Sequence, residues 1–456
     1  MKRNINRRDA LRCLGAGAAA GALLPGLAAG AQKRPNIIFI LTDDHRWDAF
    51  GFMDKPWLKT PNMDRLAAEG VHFQNSFVTT SLCSPSRASF LTGQYAHCHG
   101  VMNNTTPWRD SNTTWLELLH AAGYYTGFIG KWHMPGKGVP DLKGQGKVDR
   151  MVSFNARHGQ GKYFDCPLMV DGQMVESEGY ITDILTDYAL EFLNNADDRP
   201  FCLYLSHKAV HAMFVPPPRY EGALKDAPLP ELQKNRRRLP MSLDHILTKM
   251  NFHKMVQGYY EGIMGLDDGV GAVLDWLDRK GLAEDTIVVY AGDNGFLWGE
   301  HGLVDKRYAY EESMRIAHLM RYPRLVPAGR EEDGMVLNTD LMPTLLSACG
   351  LAVPSQVQGM SYMDLAAGKE DQWRHAFYYE YFKDGGYYPQ PPCEAVRTDS
   401  WKYITYQKSQ WRFPDELFNL EKDPGEMRNL ANDPAHQDKL KQMKAMLQKV
   451  KQETEC

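Results

Sequence analysis

Residues 36–44 read NIIFILTDD, a continuous apolar run that ends in two carboxylates. Continuous rather than alternating hydrophobicity is typical of a strand buried on both faces, as in a parallel sheet. Three later runs share this character, at residues 125–130, 201–206 and 286–291. Helical patterns accompany them at residues 62–69, 114–122, 182–194 and 259–280. We therefore predict an α/β fold with a large, mainly parallel sheet flanked by helices.

Polar side chains directly follow each of the four predicted strands. Because the carboxyl ends of parallel strands meet at one edge of a sheet, these side chains are expected to converge on one site. Three carboxylates and an amide among them are hard oxygen ligands, which suit Ca²⁺ or Mg²⁺. Each group alone also fits a helix cap, a turn or a surface charge. Strand by strand, the groups are Asp43 and Asp44; Lys131 and His133; His207, Lys208 and His211; and Asp293 and Asn294.

A second informative stretch, residues 83–93, reads CSPSRASFLTG. Ser84 is expected to cap a helix and Pro85 to occupy its first position. A helix N-terminus favours anions, so Cys83 and Arg87 would lie where a negatively charged substrate can bind. The alternative for this stretch alone is an ordinary loop thiol before an ordinary helix.

Composition excludes some classes of function. The 456 residues are 43% hydrophobic and carry a formal net charge of −4, so no nucleic-acid partner is predicted. A local basic run at residues 234–238 is expected to be a solvated turn, with contact to an anionic substrate as the alternative. It lies in a proline-rich excursion, residues 216–247, that we assign to the substrate rim. The eight cysteines follow no metal-type spacing, and their pairing is left open.

The chain divides into three predicted segments. Residues 1–31 are basic and then apolar, and resemble a twin-arginine export signal, with a short membrane anchor as the alternative. Residues 32–370 would form the catalytic domain. Residues 371–456 would form a smaller C-terminal α+β domain, carrying an antiparallel sheet and a final amphipathic helix. Its strands are expected at residues 373–379, 395–406 and 416–420, and its helix at residues 434–451. The protein is therefore expected to be exported, to the periplasm or beyond, with no stable membrane insertion once the signal is removed.

Several of these motifs, in this order along the chain, resemble those of type I, formylglycine-dependent sulfatases of the alkaline-phosphatase superfamily. The resemblance implies a sulfuric ester hydrolase in which a maturing enzyme, of the formylglycine-generating or radical type, oxidises Cys83 to formylglycine. One hydroxyl of the hydrated aldehyde would attack sulfur, and the second would allow sulfate to leave. The matching stretches are residues 36–44, 83–93, 130–133, 208–211, 293–295 and 306–315.

The resemblance also implies a role for each matching residue. A divalent cation, calcium or alternatively magnesium, would be held by Asp43, Asp44, Cys83, Asp293 and Asn294. Arg87 and Lys131 would hold the hydrated aldehyde and the sulfate, and His133 would act as the base. His211 and Lys306 would act near the leaving oxygen. Substrate-binding residues are expected at Asn103, His207 and His301.

The substrate is less clearly indicated by the sequence. Residues 99–104, 207–211 and 300–307 resemble N-acetylglucosamine-6-sulfatase-like members, which favours 6-O-sulfated N-acetylglucosamine in glycosaminoglycan-type glycans. The alternatives are other sulfated sugars, from algae or mucin, or phosphonate and phosphodiester hydrolysis within the same superfamily. A non-catalytic carbohydrate-binding protein with an intact Cys83 thiol is the remaining hypothesis.

Overall fold

The computed structural model describes residues 34–134, 141–154, 160–230, 251–370, 372–384, 390–407 and 413–456. Residues from Arg34 onward form one compact unit. The predicted export signal and the basic run at residues 234–238 lie outside the described residues. The division between residues 370 and 371 stays a prediction.

The strands are numbered here along the described chain. They are β1 (Asn36–Thr42), β2 (Val71–Phe73), β3 (Ser76–Phe77), β4 (Tyr125–Gly130), β5 (Arg150–Phe154), β6 (Leu168–Val170), β7 (Gln173–Val175), β8 (Phe201–Ser206), β9 (Thr286–Gly292), β10 (Leu297–Trp298), β11 (Val304–Asp305), β12 (His318–Arg321), β13 (Arg330–Glu332), β14 (Val336–Leu337), β15 (Ala376–Tyr381), β16 (Cys393–Thr398), β17 (Trp401–Tyr406) and β18 (Glu416–Asn419).

The α-helices of the described residues are numbered in the same way. They are α1 (Pro61–Ala68), α2 (Cys83–Thr92), α3 (Ala96–His99), α4 (Trp115–Ala121), α5 (Ile181–Asn194), α6 (Phe252–Lys280), α7 (Glu311–Met314), α8 (Leu341–Ala348), α9 (Met363–Ala366) and α10 (Gln437–Gln452).

The large sheet has ten strands in the order β13-β2-β12-β9-β1-β8-β4-β5-β6-β7. Its centre, from β9 through β1, β8 and β4 to β5, is parallel. Antiparallel strands flank the centre, β12 beside β9 on one side and β6 and β7 on the other. The predicted mainly parallel sheet is thus confirmed, and the four predicted strands are neighbours within it.

Strand β1 is buried on both faces, which accounts for its continuous hydrophobicity. Ile38 and Ile40 pack into one core with residues of α1, α5 and α6, whereas Ile37, Phe39 and Leu41 pack into a second core with residues of α2, α4 and α8. The sheet therefore lies between two layers of helices, and its carboxyl edge is left for a site.

Two predicted boundaries were wrong. Helix α6 begins at Phe252, seven residues before the predicted start, because Asn251 caps it by accepting a hydrogen bond from the Lys254 amide. The predicted strand 395–406 is two strands, β16 and β17, which pair antiparallel across a turn. Thr398 closes that turn, since its hydroxyl oxygen accepts a hydrogen bond from the Trp401 amide at 3.0 Å.

The C-terminal sheet is antiparallel, in the order β15-β16-β17-β18, as predicted. One face packs on α10 through Tyr403, Leu447 and their neighbours. The other face, with Phe377 and Phe418, packs against residues that precede and follow β11, in the part that carries the large sheet. The buried Lys402 ammonium adds an ionic link between the two parts, since it contacts Glu311 of α7 at 2.8 Å.

A disulfide joins Cys98 in α3 to Cys456, across 358 residues of sequence. Hydrogen bonds surround it: the Thr454 carbonyl lies 2.9 Å from His97 Nε2 and also accepts from Gln358. Cys202, in β8, is a buried free thiol. Within the described part of the chain, every helix is too short or too polar to cross a bilayer.

Candidate active site

The four strand ends converge, as predicted. Strand β1 pairs with β9 on one side and β8 on the other, and β4 follows β8. Thr42 is aligned with Gly292, so Asp43 and Asp293 emerge side by side. The Asp43 amide also donates to the Ala209 carbonyl at 2.9 Å, which draws the segment after β8 towards the end of β1.

Three carboxylates and a thiol meet at this edge. One ligand atom each from Asp43, Asp44, Asp293 and Cys83 lie within 4.8 Å of one another, and all four residues are buried. The Asp44 amide donates to Asp293 Oδ1 at 3.0 Å, which holds the two aspartates together. Burial raises the pKa of Asp44 to about 7. The charges of Asp43 and Asp293 act in the same direction, and the charge of Lys306 opposes the shift.

This donor set fits a divalent cation. Asp44 Oδ2 and Asn294 Oδ1 are buried acceptors without a hydrogen-bond partner among the described residues. Buried acceptors are rarely left without a partner, and hard oxygen atoms are the ligands of Ca²⁺ and Mg²⁺. Asn294 Nδ2 donates to Asp44 Oδ1 at 2.6 Å, which fixes the amide so that its oxygen faces away from that contact.

Cys83 is the first residue of α2 and has no exposed surface. Its Sγ lies 3.4 Å from Asp43 Oδ1 and 3.2 Å from Lys306 Nζ. Burial, reinforced by the charge of Asp43, raises the pKa of the thiol well above its usual range. An unmodified Cys83 would therefore remain a neutral thiol at neutral pH, and a neutral thiol is a poor nucleophile.

The predicted cap of α2 was wrong. Leu82 occupies the N-cap position, and Pro85 is the third residue of the helix. Ser84 is the second residue of the helix rather than its cap, and its hydroxyl donates to the His133 carbonyl. The Ser84 amide is instead satisfied by Asn104 Oδ1 at 3.1 Å. Asn104 thus braces the start of the helix that carries Cys83.

Three buried cations surround the carboxylates. Arg87 Nε donates to Asp293 Oδ2 at 2.8 Å, and its Nη1 donates to Ser206 Oγ at 2.6 Å. Lys131 donates to Asp43, and Lys306 donates to Asp44. Because each cation pairs with a carboxylate of the proposed metal site, the charges hold one another in place.

Two histidines face this group. Burial, reinforced by the charge of Lys131, lowers the pKa of His133, and burial also lowers the pKa of His211. Both imidazoles are therefore neutral at neutral pH. The Gln160 amide lies 2.7 Å from His133 Nε2. His211 Nδ1 lies 2.7 Å from the Ala212 carbonyl, so Nδ1 carries the proton and Nε2 can accept one.

The three predicted substrate-binding residues are not part of this group in the structure. Asn103 Oδ1 accepts from Thr105 and Thr106, so its side chain braces its own loop. His207 is buried, and burial lowers its pKa to about 3. His301 has no exposed surface; its ring lies 3.9 Å from that of Tyr310. Substrate binding by these residues stays a prediction.

Sequence reasoning missed three residues that touch the site. Ser206, the last residue of β8, bonds Arg87, and its place at a strand end could have indicated it. Asn104 and Gln160 arrive from loops, and Gln160 contacts both Lys131, at 2.5 Å, and His133. No local sequence signal marks Gln160, whereas Asn104 lies in the stretch 99–104 described above for its resemblance, which gave it no role of its own.

Family profiles cover almost the whole described chain. The sulfatase profile matches residues 35–351, which include the four strand ends and α2. A second profile, the C-terminal region of N-sulphoglucosamine sulphohydrolase, matches residues 299–453, which include the antiparallel sheet and α10.

Individual relatives agree with these profiles. An N-acetylglucosamine-6-O-sulfatase of Bacteroides thetaiotaomicron is 30% identical over 465 residues, covering 86% of this chain and 81% of the relative. An ulvan-active sulfatase of Formosa agariphila is 30% identical over 398 residues, covering 84% and 75%. A solved structure of an enzyme with its substrate D-glucosamine-2-N,6-O-disulfate has a TM-score of 0.83 at 28% identity, covering 92% and 98%. Together, the profile over the site-bearing strands and these relatives show that the chain belongs to the sulfatase family, within the alkaline-phosphatase superfamily.

Proposed function

We propose that this sulfatase removes O-sulfate from a sulfated carbohydrate, and that 6-O-sulfated N-acetylglucosamine in glycosaminoglycan-type glycans is its substrate. The observation that carries the reaction type is the meeting of Cys83 with three carboxylates and the Lys306 ammonium in one buried cluster. The names of the relatives support the sugar, since they include an N-acetylglucosamine-6-O-sulfatase and an enzyme bound to a 6-O-sulfated glucosamine.

Cys83 is proposed to act as formylglycine, and the cation is proposed to be Ca²⁺, with Mg²⁺ as the alternative. The side chains of Asp43, Asp44, Asp293 and Asn294 would hold the cation beside residue 83. A bound cation would withdraw charge from the sulfate oxygens and lower the pKa of a coordinated hydroxyl. The high pKa of the unmodified thiol supports conversion, because the thiol itself would be inert here.

The chain's own residues would complete the reaction. Arg87 and Lys131 are fixed cations that stabilise charge on sulfate oxygens as it develops. His133 is neutral and can accept a proton from the group at residue 83. Lys306, in contact with Cys83, and His211, with Nε2 free to exchange a proton, are placed for the leaving oxygen.

Mass spectrometry of the Cys83 peptide from an active preparation tests the nucleophile. We expect the thiol to be replaced by an aldehyde, and an active preparation with an intact thiol would refute the assignment. A Cys83→Ser chain left unmodified should fail to turn over, because a plain hydroxyl offers no second hydroxyl through which sulfate can leave.

A substrate panel tests the sugar. Sulfate release from 6-O-, 4-O- and 2-O-sulfated sugars should be fastest for 6-O-sulfated N-acetylglucosamine. Faster sulfate release from an ulvan or mucin oligosaccharide would refute the proposed substrate but leave the proposed reaction type unchanged. Faster hydrolysis of an aryl phosphate diester than of an aryl sulfate would indicate the phosphodiesterase alternative instead.

Export to the periplasm or beyond is part of the proposal, as is a maturing enzyme that oxidises Cys83. The disulfide between Cys98 and Cys456 supports export, because disulfides persist in oxidising compartments. Fractionation of the native host, with immunodetection of the mature chain, tests the location; recovery from the cytoplasm alone would contradict it.

A further inference from the structure

Lys208 is a buried cation that the proposed reaction does not use. It is the second residue after β8 and is 4% exposed. Its Nζ lies 4.9 Å from the centroid of the Tyr163 ring, a cation–π contact. Within the described ranges, it pairs with no carboxylate and donates no side-chain hydrogen bond. A buried ammonium with only an aromatic ring as its partner is left with hydrogen-bonding capacity unused.

This sets Lys208 apart from the other cations of the site. Arg87, Lys131 and Lys306 each contact a carboxylate of the proposed metal site, so much of their charge is already neutralised. Lys208, in contrast, contacts no carboxylate among the described residues, and the charges of Asp43 and Asp44 act on it only without direct contact. Burial, reinforced by the charge of Lys131, lowers its pKa to about 8, which leaves the ammonium protonated at neutral pH.

Lys208 lies one turn from a residue of the reaction centre. The His211 amide donates to the Lys208 carbonyl at 3.1 Å, so both residues belong to one tight turn after β8. Tyr163, which lies under the Lys208 ammonium, also donates its hydroxyl to the His211 carbonyl. One ring thus contacts both the Lys208 ammonium and the backbone of His211, a residue that faces the carboxylate cluster.

We propose that Lys208 is a specificity-determining residue whose ammonium binds a second anionic group of the substrate, a sulfate or carboxylate on the same or the adjoining sugar. The inference rests on the proposed function, since it concerns the substrate of that same site. A charge-assisted hydrogen bond from a buried ammonium corresponds to about 10- to 100-fold in kcat/KM. A mono-sulfated sugar, which lacks the second anion, would not have this gain in kcat/KM.

Two substrates and three variants test the proposal. The substrates are N-acetylglucosamine-6-sulfate, with one anion, and D-glucosamine-2-N,6-O-disulfate, with two. Lys208→Met keeps the apolar stem over Tyr163 but removes the charge, and Lys208→Arg restores it. Lys162→Met is the matched control, because it removes an exposed positive charge one residue from Tyr163.

We expect Lys208→Met to lower the ratio of kcat/KM for the disulfate to kcat/KM for the monosulfate about 10- to 100-fold, mainly through KM. Lys208→Arg should recover most of the ratio, and Lys162→Met should leave it unchanged. Equal losses on both substrates, or an equal effect of Lys162→Met, would overturn the proposal. If the parent enzyme hydrolyses neither sugar, both the proposed function and this inference are wrong. If it hydrolyses both sugars and Lys208→Met leaves the ratio of the two kcat/KM values unchanged, only this inference is wrong.

Discussion

Removing the disulfide between Cys98 and Cys456 should destabilise the fold without disabling the site. The bond closes a loop of 358 residues. For a loop of that length, chain entropy gives an upper limit of about 6 kcal/mol at 25 °C, whereas losses on removing natural disulfides are about 2–5 kcal/mol. We therefore expect Cys456→Ser to lower the free energy of unfolding by about 4 kcal/mol. The hydrogen bonds from His97 and Gln358 to Thr454 should keep the terminus in place in the folded state.

The expected shift in Tm follows from the size of the folded unit, residues 34–456. At about 2.1 cal/mol/K per residue, the entropy of unfolding is about 0.9 kcal/mol/K, so 4 kcal/mol corresponds to about 4–5 °C. Differential scanning calorimetry in oxidising buffer measures the shift. Cys98→Ser and the double variant Cys98→Ser/Cys456→Ser should match the single variant, because either change alone breaks the bond. Reductant should lower the Tm of the parent only.

Two results would refute this reasoning. A Tm for Cys456→Ser within 1 °C of the parent would mean that the bond constrains little, for example because the denatured chain already keeps these ends together. A further drop of several degrees when reductant is added to the variant would mean that another reducible bond was responsible. Sulfate release at 25 °C should be retained in the variant, since the bond does not contact the proposed reacting groups.

Three other perturbations test the site and its surroundings. Gly130→Ala should lower kcat/KM more than tenfold and the free energy of unfolding by about 3 kcal/mol, because the new Cβ would lie 1.9 Å from the Ser206 carbonyl oxygen at a φ of 116°. Gly123→Ala is the control, since its φ is also positive but no atom lies within 4 Å of the new Cβ. An equal loss of activity in the control would contradict the steric argument. Asp44→Asn should weaken Ca²⁺ binding, measured by isothermal titration calorimetry, and reduce activity at least 100-fold. A chelator should reduce the activity of the parent to a similar extent, and added Ca²⁺ should restore activity in the parent but not in the variant. Full activity of the parent in chelator would exclude a catalytic cation. Burial lowers the pKa of His318 to about 3, so its contribution to stability is complete above pH 6.5 and is lost as pH falls towards 3, by about 1.4 kcal/mol for each pH unit. In chemical denaturation, His318→Gln should reduce the slope of unfolding free energy against pH in this range. An unchanged slope would contradict the low pKa.

The central strands could be predicted from sequence because their environment leaves a strong local signal. β1 and β8 are buried on both faces, so their residues are apolar without interruption. The outer strands could not be predicted in this way. β2 has three residues and β13 has three, too few for periodicity to be read, and both depend on neighbours far away in sequence.

The site divides along the same line. Asp43, Lys131 and Asp293 could be predicted because each directly follows a recognisable strand, and sheet geometry then brings them together. Gln160 could not, because a loop carries it to the site and its neighbours in sequence form no recognisable pattern. Asn104 lies in the resembling stretch 99–104, but its contact with the start of α2 depends on the tertiary structure. The cap of α2 was wrong for the same reason: Ser84 bonds a loop that only the tertiary structure places beside it.

The order of strands in the large sheet also determines how early during translation the sheet can form. β9 lies between β1 and β12, so the centre of the sheet cannot close until residues 286–292 have been made. Asp293 follows Cys83 by about 210 residues, which at roughly 5–20 residues per second is roughly 10–40 s of translation. During that interval Cys83, which has no exposed surface in the finished fold, lacks its neighbour Asp293 and the strand that precedes it. The proposed maturing enzyme would therefore have access to Cys83 until β9 joins the sheet. If Cys83 is modified in this period, the modified fraction should rise when translation between residues 83 and 286 is slowed.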